Sequence, residues 1–493
     1  MANLKTLASD SLVYGVSNVL GRFISYLLVP IHTFGLDVAG GEYGIITNIY
    51  AYTGVVLLVL VCGMETTYFN FVNKKEWNPN DVFATALAIV GTLCVIFLSL
   101  MFVTIDRVAP LMGYGDHHDY VLYMSIVTAM DALQAIAFTR MRQMKRSWRY
   151  AGFKLMYIFM SVILNTVFYI VLPYMATHFP SMGDMTPTAA QAFYSNLACT
   201  SIVSIAMWRD FLPHGGKVNR PLLRKMLFYT FPMLLVALGG QMTLSFDKIF
   251  FPKLYAGDDG TAQLGIYGAC VKIASFMTLA TTAYRLALEP LVFGNGKNGD
   301  KEDPQFLAKG TTAFVALLLV FFLGIMSWMD VLRRFIAPGY WEGIGVIWIV
   351  MLADIFYAIF FNFSFWYKKD AENPYWGALF SLVALALIAI INYMFVPRYS
   401  YYACAWACVV SWGVAMVLSY AIGTAKGHLK MPVGRLLLYG ATAGAALALI
   451  LNMPQSWSSW IRISLGTTLT LAFAAFAATR EGLLAPIMKR LRH

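Results

Sequence analysis

The stretch "VFATALAIVGTLCVIFLSLMFV", which begins at Val82, runs without a single charge for the length of a bilayer crossing. A helix needs about 20 apolar residues to cross a hydrocarbon core of about 30 Å. Runs of this kind recur from one end of the 493 residues to the other. Soluble domains carry about 25% charged residues. Here the share is 12%, with 59% of residues apolar and a mean hydropathy of +0.65. Such a chain needs lipid as its solvent. A transmembrane β-barrel would instead show alternating segments of about ten residues. The expectation is therefore an all-α polytopic membrane protein.

About fourteen spans are expected from length and hydropathy, at 8–33, 41–64, 82–105, 118–139, 151–173, 190–208, 224–254, 262–290, 308–329, 342–365, 373–396, 400–423, 432–452 and 457–479. The opening "MANLKTLASDSLVYG" has no short apolar region followed by an A-x-A cleavage site, so the first run reads as a retained helix. Lys and Arg are roughly five times more frequent on one set of connections than on the other. That bias predicts both termini in the cytoplasm. It also accounts for most of the net charge of +11 without nucleic acid as a partner, and leaves the basic connections facing lipid headgroups.

Several chemistries find no support. The six Cys lie inside apolar runs with no CxxC, as small buried hydrophobes do. The seven His form no ligand cluster, and "DHHD" at Asp116–Asp119 reads as a solvated loop. There is no phosphate-binding GxxxxGK[ST] loop and no GxSxG. Neither ATP hydrolysis nor covalent catalysis is expected, and no metal or organic cofactor.

An internal repeat is suggested by "EYGIITNIYAYT" (42–53) and "QLGIYGACVKIA" (263–274). Each follows a long helix with a Pro in its second half. The expected organisation is a six-helix lobe over 1–210, a basic linker over 211–225, a second six-helix lobe over 226–425, and two further helices with a basic tail over 426–493. Parallel repeats place a binding site near the midplane between halves.

Polar stripes point to where that site lies. On a helical wheel Lys272, Ser275, Thr278, Thr282, Arg285 and Glu289 share a face of about 140°. Ser11, Tyr14, Asn18, Arg22 and Ser25 fall within about 80°, and Gln241, Ser245 and Lys248 within about 60°. A basic residue at membrane depth costs at least ~2.5–3.5 kcal/mol. The stripes thus suggest a hydrated cavity. Arg22, Lys248, Lys272 and Arg285 would attract an anionic substrate, with Asn18, Ser25, Gln241 and Thr282 as polar lining. Ion pairing between helices is the competing explanation. Arg285 with Glu289 is one such pair, and Lys248 with Asp247 or Asp131 another. Asp131, Asp247, Glu289 and Asp354 are the acids that would pair with these cations or carry H⁺ or Na⁺. Asp247 lies on a different helical face from Lys248, and Glu65 is expected near the inner interface.

With these features in view, "LLVPIHTFGLDVAGGEYGIITNIYAYTGVVLLVLVCGMETTYFNF" (27–71) resembles the Wzx-type polysaccharide-biosynthesis flippases of the multidrug/oligosaccharidyl-lipid/polysaccharide exporter superfamily. The likeness rests on Glu42-Tyr43-Gly44 and Gly63-Met64-Glu65, and on "DKIFFPKLYAGDDGTAQLGIYGACVKI" (247–273) as a second-lobe counterpart. It implies two six-helix lobes around a cavity with alternating access, in a bacterial cytoplasmic membrane. The implied substrate is an undecaprenyl-pyrophosphate-linked oligosaccharide, with membrane lipids and the pathway's polymerase and glycosyltransferases as partners. Spans 13 and 14 would offer a groove for the lipid tail. A lipid II flippase fits the charge and span count equally well. A multidrug antiporter of this fold would need an acidic cavity. A membrane-embedded glycosyltransferase would need larger outer loops than this chain has.

Overall fold

The computed structural model describes residues 26–179, 185–213, 215–282, 284, 304–369, 375–427 and 429–482. Among these residues every regular element is a helix. Twelve of the helical segments are long and apolar enough to cross a membrane, and the protein is a multi-pass membrane protein. Of the other two expected spans, the first lies largely outside the described residues, with helix at 26–35. The sixth is a helix, Ala189–Ala206, but is not among the twelve. The expected fourteen thus stands at twelve on the described residues.

The chain divides into two compact units, Met1–Gly268 and Ala269–His493. The first contains α1 (Glu42–Val61), α2 (Met64–Val72), α3 (Pro79–Met112), α4 (His118–Gln143), α5 (Ser147–Thr166), α6 (Leu172–His178), α7 (Ala189–Ala206) and α8 (Arg220–Leu254). Helix α9 (Gly260–Ala274) runs across the division. The second unit contains α10 (Pro304–Ser327), α11 (Ile347–Phe363), α12 (Tyr375–Tyr399), α13 (Tyr401–Ala425), α14 (Val433–Leu451) and α15 (Ser459–Arg480).

In the first unit α4 is central and packs on α1, α3, α5 and α7. It is the most polar-laden of these spans and largely buried, whereas the uniformly apolar α3 leaves Val95, Leu100 and Val103 exposed. Lipid is as apolar as leucine, so apolar faces gain nothing by turning inward, and polar faces do. Met64, Tyr68, Phe83, Ile136, Leu222 and Met226 form a core among α2, α3, α4 and α8. In the second unit α13 packs on α11 and α12, and α10 packs on α14 and α15.

Two local features carry the site. The helix from Glu42 breaks at Cys62 and Gly63, both left-handed with φ of 50° and 62°. A carbonyl freed inside a membrane must find a partner. Thr230 of α8 supplies one by donating its hydroxyl to the Cys62 carbonyl at 2.5 Å, and Thr67 donates to Thr230 at 3.0 Å. Replacing Thr230 by Val is expected to destabilise by about 1–3 kcal/mol, the cost of an unsatisfied buried acceptor. Replacing it by Ser should be nearly neutral. Thermal unfolding in detergent measures both, and a Val variant as stable as the parent would mean that the break is satisfied by other means.

The second feature is a close helix crossing. A side chain at Gly44 of α1 would overlap the Thr261 backbone, and one at Gly265 of α9 would press on the Gly44 backbone. Only hydrogen fits at such an approach, the usual role of small residues in membrane helix contacts. These two glycines are the ones that align when 42–53 is set against 263–274.

Candidate functional site

A cavity of about 430 Å³ lies inside the first unit. It is lined by Glu65 of α2, Asp131, Gln134 and Arg142 of α4, and Lys154 and Tyr157 of α5, with Leu57, Phe138 and Phe153 as apolar wall. Helix α4 can present three of these because residues three to four apart share a face. The turn at 144–146, with Lys145 at φ 56°, sends the chain back into α5 and brings Lys154 alongside.

The charges are balanced within the cavity. Arg142 Nη2 sits 2.7 Å from Glu65 Oε2, with both side chains partly exposed. Lys154 Nζ lies 4.4 Å from the centre of the Phe138 ring, a cation–π contact, and lines the same cavity as Asp131. Asp131 also accepts a long hydrogen bond, 3.5 Å, from Thr200 of α7. From there a polar chain crosses the bundle. Tyr157 donates to Asn196 Oδ1 at 2.8 Å, and the Asn196 amide donates to the Tyr50 hydroxyl at 3.0 Å. Gln134 donates to the Thr200 carbonyl at 3.1 Å and to Ser204 at 2.9 Å. Such a chain, open to a cavity lined by charged side chains, can hold a cation or pass a proton between oxygen atoms.

A second polar cluster joins α8 to α1 and α9. Lys248 Nζ contacts both Asp247 oxygens at 2.9 and 3.0 Å. Adjacent residues lie about 100° apart on a helix, so the two faces differ as the sequence suggests. The four-carbon lysine stem spans that angle, and the pair forms. Tyr267 donates to Asp247 Oδ2 at 2.7 Å. Asn48 donates to the Lys248 carbonyl at 2.6 Å, and Tyr114 donates to Asn48 at 2.7 Å. Gln241 donates to Ser245 at 3.1 Å. The stripe on α8 thus bonds within itself and to neighbouring helices.

Lys272 is exposed, Asp354 is half-buried, and both interact with neighbouring groups. Thr282 donates to the Thr278 carbonyl at 2.7 Å. Asn18, Arg22, Ser25, Arg285 and Glu289 lie outside the described residues. Sequence reasoning missed Arg142 and Lys154 because it placed "RMRQMKRSWRYAGFK" in an inner connection. Helix α4 continues to Gln143 and α5 starts at Ser147, so the connection is only three residues long. Arg142 and Lys154 face the same cavity from either side of that turn. Their signal was present in Asp131, an acid at membrane depth that needs a cation within reach.

The polysaccharide biosynthesis protein family matches residues 7–293. A search of the curated proteins finds no match. Solved structures do resemble the chain. A lipid II flippase, MurJ, in an inward closed conformation aligns with a TM-score of 0.69 at 14% identity, covering 96% of this chain and 99% of that one. An inward-facing multidrug resistance transporter of the MATE family and MOP superfamily aligns at 0.58 and 13%, covering 83% and 93%. A MOP superfamily transporter from Pyrococcus furiosus, described as having a binding pocket of reverse polarity, aligns at 0.51 and 15%, covering 85% and 95%. At these identities the likeness is one of fold.

Proposed function

Because the chain belongs to the polysaccharide biosynthesis protein family, we propose that it is a flippase and not an enzyme. It moves an undecaprenyl-pyrophosphate-linked oligosaccharide from the inner to the outer leaflet of a bacterial cytoplasmic membrane, with both termini in the cytoplasm. The observation that carries this reading is the cavity lined by charged side chains of membrane-spanning helices in a chain of that family. A fold does not keep ionisable groups in hydrocarbon without a task for them.

In the proposed cycle Arg22, Lys272 and Arg285 hold the pyrophosphate, Arg by paired donation and Lys as a point charge. Lys248 joins them once it leaves Asp247. Asn18, Ser25, Gln241 and Thr282 line the path. Asp131 is the acid best placed to couple transport to H⁺ or Na⁺, since it opens onto the cavity. Asp247 is engaged with Lys248 and Tyr267. Alternating access then requires α1 and α9 to part at the Gly44–Gly265 crossing, which is in contact here.

Lipid II transport is a second reading, supported by the likeness to MurJ over nearly the whole chain. Proteoliposomes decide between the two. Lipid-linked oligosaccharide and lipid II are supplied to separate vesicle batches, and the fraction reached by a membrane-impermeant reagent is followed. Faster translocation of the oligosaccharide is expected. A preference for lipid II would establish the second reading, and rates equal to protein-free vesicles for both would overturn the proposal.

A further inference from the structure

At one end of the second unit, the start of α10, the end of α13 and the start of α14 surround a pocket of about 600 Å³. Lys309 reaches it from α10, Lys430 from the connection between α13 and α14, and Arg435 from the first turn of α14, with Thr312 and Tyr420 among the other lining residues. Three cations therefore surround one opening. Among the described residues, Lys309 and Lys430 form no ion pair. Arg435 has a long one, 3.6 Å to Glu481. That carboxylate is already engaged, accepting from Tyr439 at 2.6 Å and from Thr312 at 3.4 Å. The pocket keeps an excess of positive charge.

Its place in the fold narrows the occupant. Pockets at the ends of membrane-spanning helices lie at headgroup depth. Directly along α14, Leu437 and Leu438 are exposed, and Leu449 and Leu451 continue that apolar surface to the other end of the helix. A cationic cup above an apolar helix face complements a molecule with an anionic head and a hydrocarbon tail. We propose that this pocket binds the phosphate headgroup of an anionic membrane lipid, with Lys309, Lys430 and Arg435 as its donors and the acyl chain lying along α14. The proposal does not depend on what the protein transports, because it is tested by binding alone.

The test uses the full-length protein and the double variant Lys309→Gln/Lys430→Gln, both exposed positions whose replacement leaves the helices intact. Thermal unfolding in detergent confirms folding. Binding of phosphatidylglycerol is then measured by native mass spectrometry against phosphatidylcholine. The parent is expected to retain phosphatidylglycerol preferentially, and the variant, which lacks two lysines worth about 1 kcal/mol each, to bind it roughly thirtyfold more weakly. A control variant at a different basic surface, Lys74→Gln/Lys225→Gln, is expected to bind as the parent does. Competition identifies the lipid. Displacement by a polyprenyl pyrophosphate would make the resident a pyrophosphate lipid, and persistence of phosphatidylglycerol would make it a phospholipid; both support the site. Equal binding by parent and Lys309→Gln/Lys430→Gln, or displacement by inorganic pyrophosphate as effective as by the lipid, would overturn it.

Discussion

Oxidation of a Thr47→Cys/Gly268→Cys variant is expected to stop export of lipid-linked glycan, and reduction is expected to restore it. A Cβ at Gly268 would lie 3.3 Å from the Thr47 Cβ. Disulfides place these atoms about 3.5–4.5 Å apart, so a shift of a few tenths of an ångström closes the bond. The bridge would tie α1 to α9 next to the Gly44–Gly265 crossing. A transport cycle that opens this end must separate the two helices by several ångströms, which a covalent bond forbids. Export should fall at least about tenfold on oxidation. Five of the six native cysteines are buried, and each single-cysteine variant controls for unintended pairing with them. Full export by a protein shown to be crosslinked would mean that these helices stay together throughout the cycle, and the alternating-access proposal would fail at this contact.

The second large effect concerns Asp131 and Lys154. Lys154→Ala is expected to lower stability, because it leaves Asp131 in the cavity with only the long Thr200 contact besides. The two groups line one cavity without a direct ion pair, so the loss is expected to be about 1 kcal/mol. Adding Asp131→Asn should recover most of the stability, as removing both members of an interacting pair does. Export should behave differently. With the ionisable oxygen gone, the double variant is expected to remain folded and to export at least about tenfold more slowly, the effect of losing a coupling group worth about 1.4 kcal/mol or more. Paired measurements of unfolding temperature and glycan export read out both quantities. If export returned together with stability, Asp131 and Lys154 would be a structural lock and the coupling role would pass to another acid.

Much of the architecture was legible beforehand because lipid imposes it. A stretch such as Val82 to Val103 has no option but a spanning helix, whatever surrounds it. The same pressure explains why α4 could be located from sequence and yet its role could not. Its polar residues announce that it faces something other than lipid, but they do not say what. Arg142 and Lys154 illustrate the gap. Sequence spacing assigns both to a basic connection, since a helix end can slide by a turn without changing the hydropathy profile. A slide of one turn moves a side chain about 5 Å, from headgroups into the cavity.

Asp247 and Lys248 show a second kind of gap. Their faces follow from helical periodicity, but whether a lysine reaches sideways or outward depends on what packs against it. Here Tyr267 and Asn48, distant in sequence, hold the carboxylate and the backbone that anchor the pair. The repeat between 42–53 and 263–274 is a third case. Its glycines were visible as a pattern, while their meeting at one crossing was not.

Periodicity and the poor solubility of charge in hydrocarbon act on each helix separately, so helix class, the positions of most spans and the presence of buried polar faces could be derived from the chain alone. Which charges share a cavity, and which cation is already held by an acid, depends on pairwise distances between helices. Those distances come from side-chain packing across hundreds of residues, as with Lys154 and Asp131 lining one cavity, and only the folded protein contains them.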